Sequence, residues 1–197
     1  MNTSSFLPNF DITANAPIAN AFTERGLNTF IQAADYIMHL PYGRNTDKSQ
    51  LLTVFSDNCG TCGTKHAILK QLADEHHRDD IELILGMVKM NAVNTPDVAT
   101  TLKKHQLDYI PEAHNYLKYN GRIIDITKPV FTVTHDADNI LREISITPEQ
   151  ITDYKVSYHK QFLSEWMINN GINLSLDQLW AIREQCIQDL STASTQA

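Results

Sequence analysis

Apolar positions recur at intervals of three and four in several stretches, separated by short apolar runs and turn residues. From about residue 18 to 40, Leu27, Phe30, Ile31, Ala34, Ile37 and Met38 mark one helical face, and Pro41 ends it. Leu51–Phe55 is a short apolar run that predicts a buried strand. Ala67, Leu69, Leu72 and Ala73 then predict a helix from Cys62 to about His77, and Ile81–Met90 reads as a strand. Asn94-Thr95-Pro96-Asp97 reads as a turn into a helix over Val98–His105, with Pro96 near its first turn.

Glu112–Lys118 and Arg122–Thr127 flank Asn120-Gly121, two residues that tolerate the positive φ of a type I′ turn. They predict a β-hairpin. A third strand is expected over Pro129–Thr134. Thr147-Pro148-Glu149-Gln150 carries a capping box and a proline suited to the first helical position. The helix it opens runs to about Ile168, with Tyr154, Tyr158, Phe162 and Trp166 as its apolar stripe. Gly171 breaks it, and Ser175–Leu190 forms the last helix. Residues 1–17 read as an irregular arm and 191–197 as a disordered polar end. The order predicts an α+β protein: one domain over 1–197, with an N-terminal helix at about 18–40, a core at about 41–135 and C-terminal helices at about 147–190. There is no internal repeat and no clear linker.

Composition narrows the function classes. The chain has 197 residues, 42% of them hydrophobic, enough for one domain with a proper core. Net charge is -7, and no basic stripe is visible, so nucleic acid is not an expected partner. No run approaches the roughly 18 apolar residues of a membrane helix, and Met1–Ala16 has neither the basic nor the apolar region of a signal peptide. The 3 cysteines, Cys59, Cys62 and Cys186, do not resemble a secreted disulfide framework. A reducing, cytoplasmic setting is the expectation. Cys186 falls in the pattern Leu179, Ile182, Cys186, Leu190 and reads as a core thiol.

Candidate chemistry lies in Asn58-Cys59-Gly60-Thr61-Cys62-Gly63-Thr64-Lys65-His66-Ala67, between an apolar run and a helical pattern. A cysteine at a helix N-terminus meets unpaired N–H groups and the positive end of the helix dipole, which favour thiolate over thiol. Cys62 has that address, and its own N–H could help hold an oxyanion. A thiol nucleophile needs a base and a group to orient the base. With Asn120 and Gly121 as the turn, Tyr119 faces Arg122, Tyr116 faces Asp125 and His114 faces Thr127. His114 and Asp125 then share a face as diagonal neighbours, about 7–8 Å apart at the backbone.

Gly60-Thr61-Cys62 opening a helix, then Ala113-His114-Asn115-Tyr116-Leu117 and Ile124-Asp125-Ile126-Thr127, resembles the transglutaminase-like branch of the papain-like cysteine protease fold. Pro41-Tyr42-Gly43-Arg44-Asn45 resembles a loop preceding the cysteine in small bacterial members. The resemblance covers roughly residues 50–130. It implies a helix bearing Cys62 packed on an antiparallel sheet, flanked by N- and C-terminal helices, with Cys62 as nucleophile, His114 as base and Asp125 as orienting acid. The implied substrate is a peptide, protein or small-molecule amide or ester, and no cofactor or metal is called for. Asn115 departs from the tryptophan that often follows the histidine, and the spacing from His114 to Asp125 is short.

Other readings of the same residues stay open. Cys59-x-x-Cys62 after an apolar run resembles a thioredoxin-like redox motif, with Tyr109-Ile110-Pro111 as its proline loop. Cys59, Cys62, His66 and His114 could instead hold a metal, although a second well-separated ligand pair is missing. Cys62 and His114 could also be ordinary buried residues. His66 and Lys65 read as half-buried or solvated, His76 and His77 as partners of a helix end, and Asp79 and Asp80 as a solvated turn. Asn45 and Asn58 are candidates for a further oxyanion donor. Oligomeric state has no signature.

Overall fold

The structure, a computed structural model, describes residues 7–129 and 137–193. Helices α1 (Pro17–Thr23) and α2 (Phe30–His39) divide the stretch expected to be one helix. Gly26 sits between them at a φ of 75°, and Thr29 starts the second helix with a capping box to Gln32. The apolar periodicity ran across the break because both helices bury their apolar faces, Ile18, Ala19 and Phe22 on one and Phe30, Ala34 and Ile37 on the other.

The run Leu51–Phe55 is not a strand. It leads into the short helix α3 (Thr53–Ser56), in which Val54 is buried, while Leu52 stays 43% exposed. Local bonds decide this: Asp47 accepts from the Ser49 amide and hydroxyl, and the Thr53 hydroxyl donates to the Asp47 and Gln50 carbonyls. So short an apolar run does not distinguish strand from helix by periodicity.

Next come helix α4 (Cys62–Asp74), strand β1 (Ile81–Asn91) and helix α5 (Ala99–Lys104), the last preceded by a 3-10 turn over Pro96–Val98. Strands β2 (Tyr109–Tyr119) and β3 (Arg122–Ile124) form the expected hairpin, with Tyr119 opposite Arg122 and Leu117 opposite Ile124. Asn120 and Gly121 take φ values of 50° and 72°, as a type I′ turn requires. Strand β3 stops at Ile124, so Asp125–Thr127 lie beyond the ladder rather than in it. The strand expected over Pro129–Thr134 falls outside the described residues except for Pro129, which lies in a bend. Strand β4 (Ile140–Ile146), which the pattern did not reveal, completes an antiparallel sheet in the order β3-β2-β1-β4. A 3-10 turn over Pro148–Ile151 follows, opened by the Thr147–Gln150 capping box, then helices α6 (Asp153–Asn169) and α7 (Leu176–Ala193). The last helix thus runs past Leu190 into the expected polar end, of which 194–197 lie outside the described residues.

These elements fall into two compact units, each discontinuous in sequence. One holds the described residues up to 85 with 114–129 and 144–152; the other holds 86–113, 137–143 and 153–193. In the first, α4 is the central helix: ten of its 13 residues are buried, and it packs against α1, α2 and the 3-10 turn at Pro148–Ile151. Its last turn anchors α1, because the Glu75 carboxylate accepts from the Ile18 and Ala19 amides at 3.1 and 2.7 Å. His76 accepts the Thr13 and Ala14 amides and bonds the Leu72 carbonyl, so it ties down the N-terminal segment as well as closing the helix.

In the second unit, α6 buries His159, Phe162, Leu163, Trp166 and Met167, whereas Tyr154 is 44% exposed and stacks on Tyr158. The expected stripe therefore holds only at its C-terminal end. Cys186 is fully buried, as expected, and burial pushes its thiol up to about 11. The Arg183 guanidinium takes both Glu112 carboxylate oxygens, with Nε to Oε2 at 2.7 Å. Burial alone raises the Glu112 carboxyl, but Arg183 outweighs it and holds Glu112 at about 2. No helix among the described residues is long and apolar enough to cross a membrane.

Removing one partner of the Arg183–Glu112 pair strands a charge in a mostly buried place. Arg183→Met is expected to destabilise the protein by about 3–5 kcal/mol in urea denaturation, while Arg183→Met with Glu112→Leu recovers most of that loss. Equal losses in the single and double variants would contradict this account of the pair.

Candidate active site

The cysteine turn is built from backbone pairing and small residues. The Gly60 amide donates to the Pro41 carbonyl at 3.1 Å and the Gly43 amide to the Gly60 carbonyl at 3.2 Å, so the Pro41–Asn45 loop runs beside the turn. The approach at both glycines is close: a Cβ on Gly60 would stand 2.9 Å from Lys65 Cγ, and one on Gly43 would stand 3.1 Å from Cys59 Sγ. Thr61 caps α4, exchanging bonds with Thr64 in a capping box. Cys62 is thereby the first residue of the helix, as expected, and is 7% exposed. Asn45 braces the turn, its Oδ1 accepting from Thr64 Oγ1 at 2.7 Å and its Nδ2 donating to the Cys59 carbonyl at 3.0 Å. Those bonds occupy the amide, so Asn45 is a structural brace rather than a free oxyanion donor. Asn58 takes a φ of 51° just before the cysteine turn.

Strand β2 carries His114, and the imidazole Nε2 lies 2.8 Å from Asp125 Oδ2. The same ring hydrogen-bonds the Cys62 side chain. With Nε2 committed to Asp125, Nδ1 is the nitrogen left to face the sulfur. Three residues from a helix start, a strand and the segment after a hairpin thus meet in one hydrogen-bonded series. Burial pulls the His114 proton affinity down, but the charges of Asp125 and Cys62 outweigh it and raise the imidazole to about 10. The effect is reciprocal, since an imidazolium beside Cys62 favours the thiolate there.

Asp125 reaches His114 by a route that strand alternation does not describe. Its Oδ1 accepts from the Thr127 amide at 2.8 Å and from the Thr127 hydroxyl at 2.5 Å, a turn that carries the chain away from β2. Behind Asp125 lies His66, which was expected to be half-buried or solvated and is fully buried. Its Nδ1 donates to the Cys62 carbonyl at 2.7 Å, its Nε2 accepts the Ile126 amide at 2.9 Å, and Nε2 stands 3.4 Å from Asp125 Oδ1. One ring nitrogen donates and the other accepts, so this imidazole is neutral, and burial lowers it further to about 4.

Lys65 is also fully buried, against expectation. Its ammonium donates to the carbonyls of Met38, Leu40 and Thr127 at 3.2, 2.5 and 2.9 Å. Burial brings it down to about 8. The signal for these two residues was present in the helical spacing, because positions 65 and 66 lie one turn after Cys62 and on its side of the helix.

Beside His114, the buried Asn115 donates to the Ile84 carbonyl at 3.0 Å, and its Oδ1 lies 3.5 Å from where a Gly63 Cβ would be. A small residue at Gly63 and an amide at Asn115 let α4 approach β2 closely. Cys59 is only partly buried, and burial together with the Asp57 carboxylate pushes its thiol up, which suits neither an attacking redox thiol nor a nucleophile. Among the described residues no strand precedes Cys59, and Pro111 lies inside β2 rather than in a loop.

The His114 imidazole is expected to keep its proton up to about pH 10 in nitrogen-15 NMR of labelled histidine. Asp125→Asn removes the larger of the two opposing charges, and burial should then pull the imidazole well below its wild-type value. Linkage gives the sign for stability. The folded chain keeps a proton that the unfolded chain releases above about pH 6.5. This contribution is therefore complete below pH 6.5 and is lost as pH rises through about 10. A wild-type His114 that titrates near 6.5 would contradict the electrostatic account.

Compared with protein-family models, with curated proteins and with solved structures, the chain matches none of them.

Proposed function

We propose that this chain is a cysteine-dependent acyl-transfer enzyme on a papain-like, transglutaminase-like core, with Cys62 as nucleophile, His114 as base and Asp125 as orienting acid. The observation that carries the reading is the Cys62–His114–Asp125 hydrogen-bonded series at the start of α4. A half-buried imidazole held on one side by a carboxylate and on the other by the cysteine sulfur has one nitrogen fixed in role and the other aimed at the sulfur. That is the arrangement a nucleophilic thiol needs.

In the proposed reaction His114 already holds the proton given up by Cys62, and the resting thiolate attacks the carbonyl carbon of an amide or ester. The carbonyl oxygen becomes an oxyanion, which the Cys62 amide at the helix start is suited to receive. The tetrahedral adduct collapses to a thioester, and the departing amine or alcohol takes the proton from His114. Water, or an amine, then gives its proton to His114 as it attacks the thioester. Collapse of the second adduct releases the acid or the new amide and restores the Cys62 thiolate beside the reprotonated His114. Asp125 keeps the ring oriented and balances the imidazolium throughout. The substrate class is a peptide, a protein or a small amide or ester. Cys59, with its thiol pushed up and its side chain against Gly43, has no step in this scheme.

Alkylation by iodoacetamide at pH 6.5–7, followed by peptide mapping, tests the assignment. Cys62 is expected to react at least about tenfold faster than Cys59, in keeping with thiolate rather than thiol chemistry. Cys62→Ser should abolish hydrolysis of a p-nitrophenyl ester, and Cys59→Ser should leave it near wild type. Preferential labelling of Cys59, or reversible formation of a Cys59–Cys62 disulfide in the resting protein, would overturn the proposal in favour of thiol–disulfide exchange.

A further inference from the structure

The scheme above uses neither Lys65 nor His66, yet both are fully buried ionisable side chains beside the reacting groups. Burying such groups is unfavourable unless each is fully hydrogen-bonded, and an apolar pair would fill the space at lower cost. One bond from each reaches the same segment. Lys65 Nζ takes the Thr127 carbonyl and His66 Nε2 takes the Ile126 amide, so consecutive side chains on α4 grip consecutive backbone groups of the segment that follows β3. The same segment carries Asp125. Among the described residues the β2–β3 ladder ends at Ile124, so the hairpin brings the chain to Asp125 but does not pair the segment that carries it.

We propose that Lys65 and His66 are positioning residues of the Cys62 centre, clamping Asp125–Ile126–Thr127 against the helix that bears the nucleophile and so holding the carboxylate on His114. The inference rests on the acyl-transfer reading of that centre. His66 ties the clamp to Cys62 directly, because Nδ1 donates to the Cys62 carbonyl while Nε2 receives Ile126. One neutral imidazole thereby sets the spacing between the nucleophile's backbone and the acid's. Lys65 extends the clamp to the Met38 and Leu40 carbonyls, the residues just before the Pro41 loop that pairs with Gly60. Both edges of the cysteine turn are therefore fixed to one ammonium group.

The charges around the clamp agree with this role. His66 faces Asp125, His114 and Lys65, and Lys65 faces Asp125, Cys59, Cys62 and Lys128. A neutral His66 leaves Asp125 free to act on His114, whereas a second imidazolium on Oδ1 would compete for the same carboxylate. The cation of Lys65 favours the carboxylate and the thiolate alike.

The test is the pH profile of Cys62 alkylation in the full chain, with folding of each variant checked by circular dichroism and urea denaturation. His66→Gln keeps an acceptor where Nε2 receives Ile126. His66→Asn keeps only the donor toward Cys62, and Lys65→Met keeps no polar bond. The glutamine variant is expected to stay within about twofold of wild type. The asparagine and methionine variants are expected to lose about tenfold in rate at neutral pH, as their profiles move by about one unit toward an ordinary thiol. In the same variants, the His114 imidazole signal in nitrogen-15 NMR should shift as the Asp125 bond loosens. Folded His66→Asn and Lys65→Met proteins with wild-type profiles and an unmoved His114 signal would overturn the clamp while leaving the Cys62 assignment standing. A wild-type Cys62 no more reactive than Cys59 would remove that assignment, and the clamp with it. If Lys65→Met does not fold, the contrast between the glutamine and asparagine variants decides alone.

Discussion

The hydrogen bond between His114 and Asp125, closed at its other end by the Cys62 sulfur, sets the demands that the surrounding unit has to meet. Each of its three members comes from a different kind of backbone: a helix start, a strand and a turn. No local sequence preference joins them. They meet because α4 approaches β2 at Gly63 and Asn115, because a two-residue turn fixes where the chain re-emerges after β2, and because Asp125 folds back on Thr127. A change of one residue in the hairpin would move the carboxylate away from the imidazole. A side chain at Gly60 would press on Lys65 and shift the helix start.

Electrostatics follow from the same geometry. In a mostly closed site, His114 is drawn down by burial and pushed up by two neighbouring negative groups, and the charges win. His66 stands on the other side of Asp125 and goes the opposite way, since burial dominates there and both its nitrogens are already engaged. Two histidines on one carboxylate therefore hold different protonation states at neutral pH. The one toward the sulfur is charged, and the one toward the helix interior is neutral. Such a division is how a site separates a group that moves protons from a group that holds shape.

Much of this was legible wherever chemistry is local. Asn120-Gly121 announced both the turn and the pairing of Tyr119 with Arg122, and Gly60-Thr61-Cys62 announced a helix that starts at the cysteine. The features that were not legible depend on partners far along the chain. Leu51–Phe55 turned helical through bonds from Asp47 and Thr53 that a hydrophobic pattern does not show. Gly26 broke a periodicity that the two helices on either side happened to continue. Strand β4 carries Arg142 and Glu143 within a seven-residue run, and before Ile146 its residues are half-buried or exposed, so its apolar signal is weak. Lys65 and His66 look like surface residues in any linear reading. Their burial follows from accepting and donating groups supplied at positions 38, 40, 126 and 127. The borders of the two compact units cut through β1, β2 and β4, where no change of composition marks them.

The central claim is that the Cys62 sulfur takes up an acyl group. Intact-protein and peptide mass spectrometry after brief mixing with an activated acetyl ester tests it most directly. The account predicts one added acetyl group on Cys62 that decays as hydrolysis proceeds, and that accumulates far more slowly in His114→Ala. An unmodified Cys62 under conditions where the ester is consumed, or acetylation confined to other residues, would contradict it.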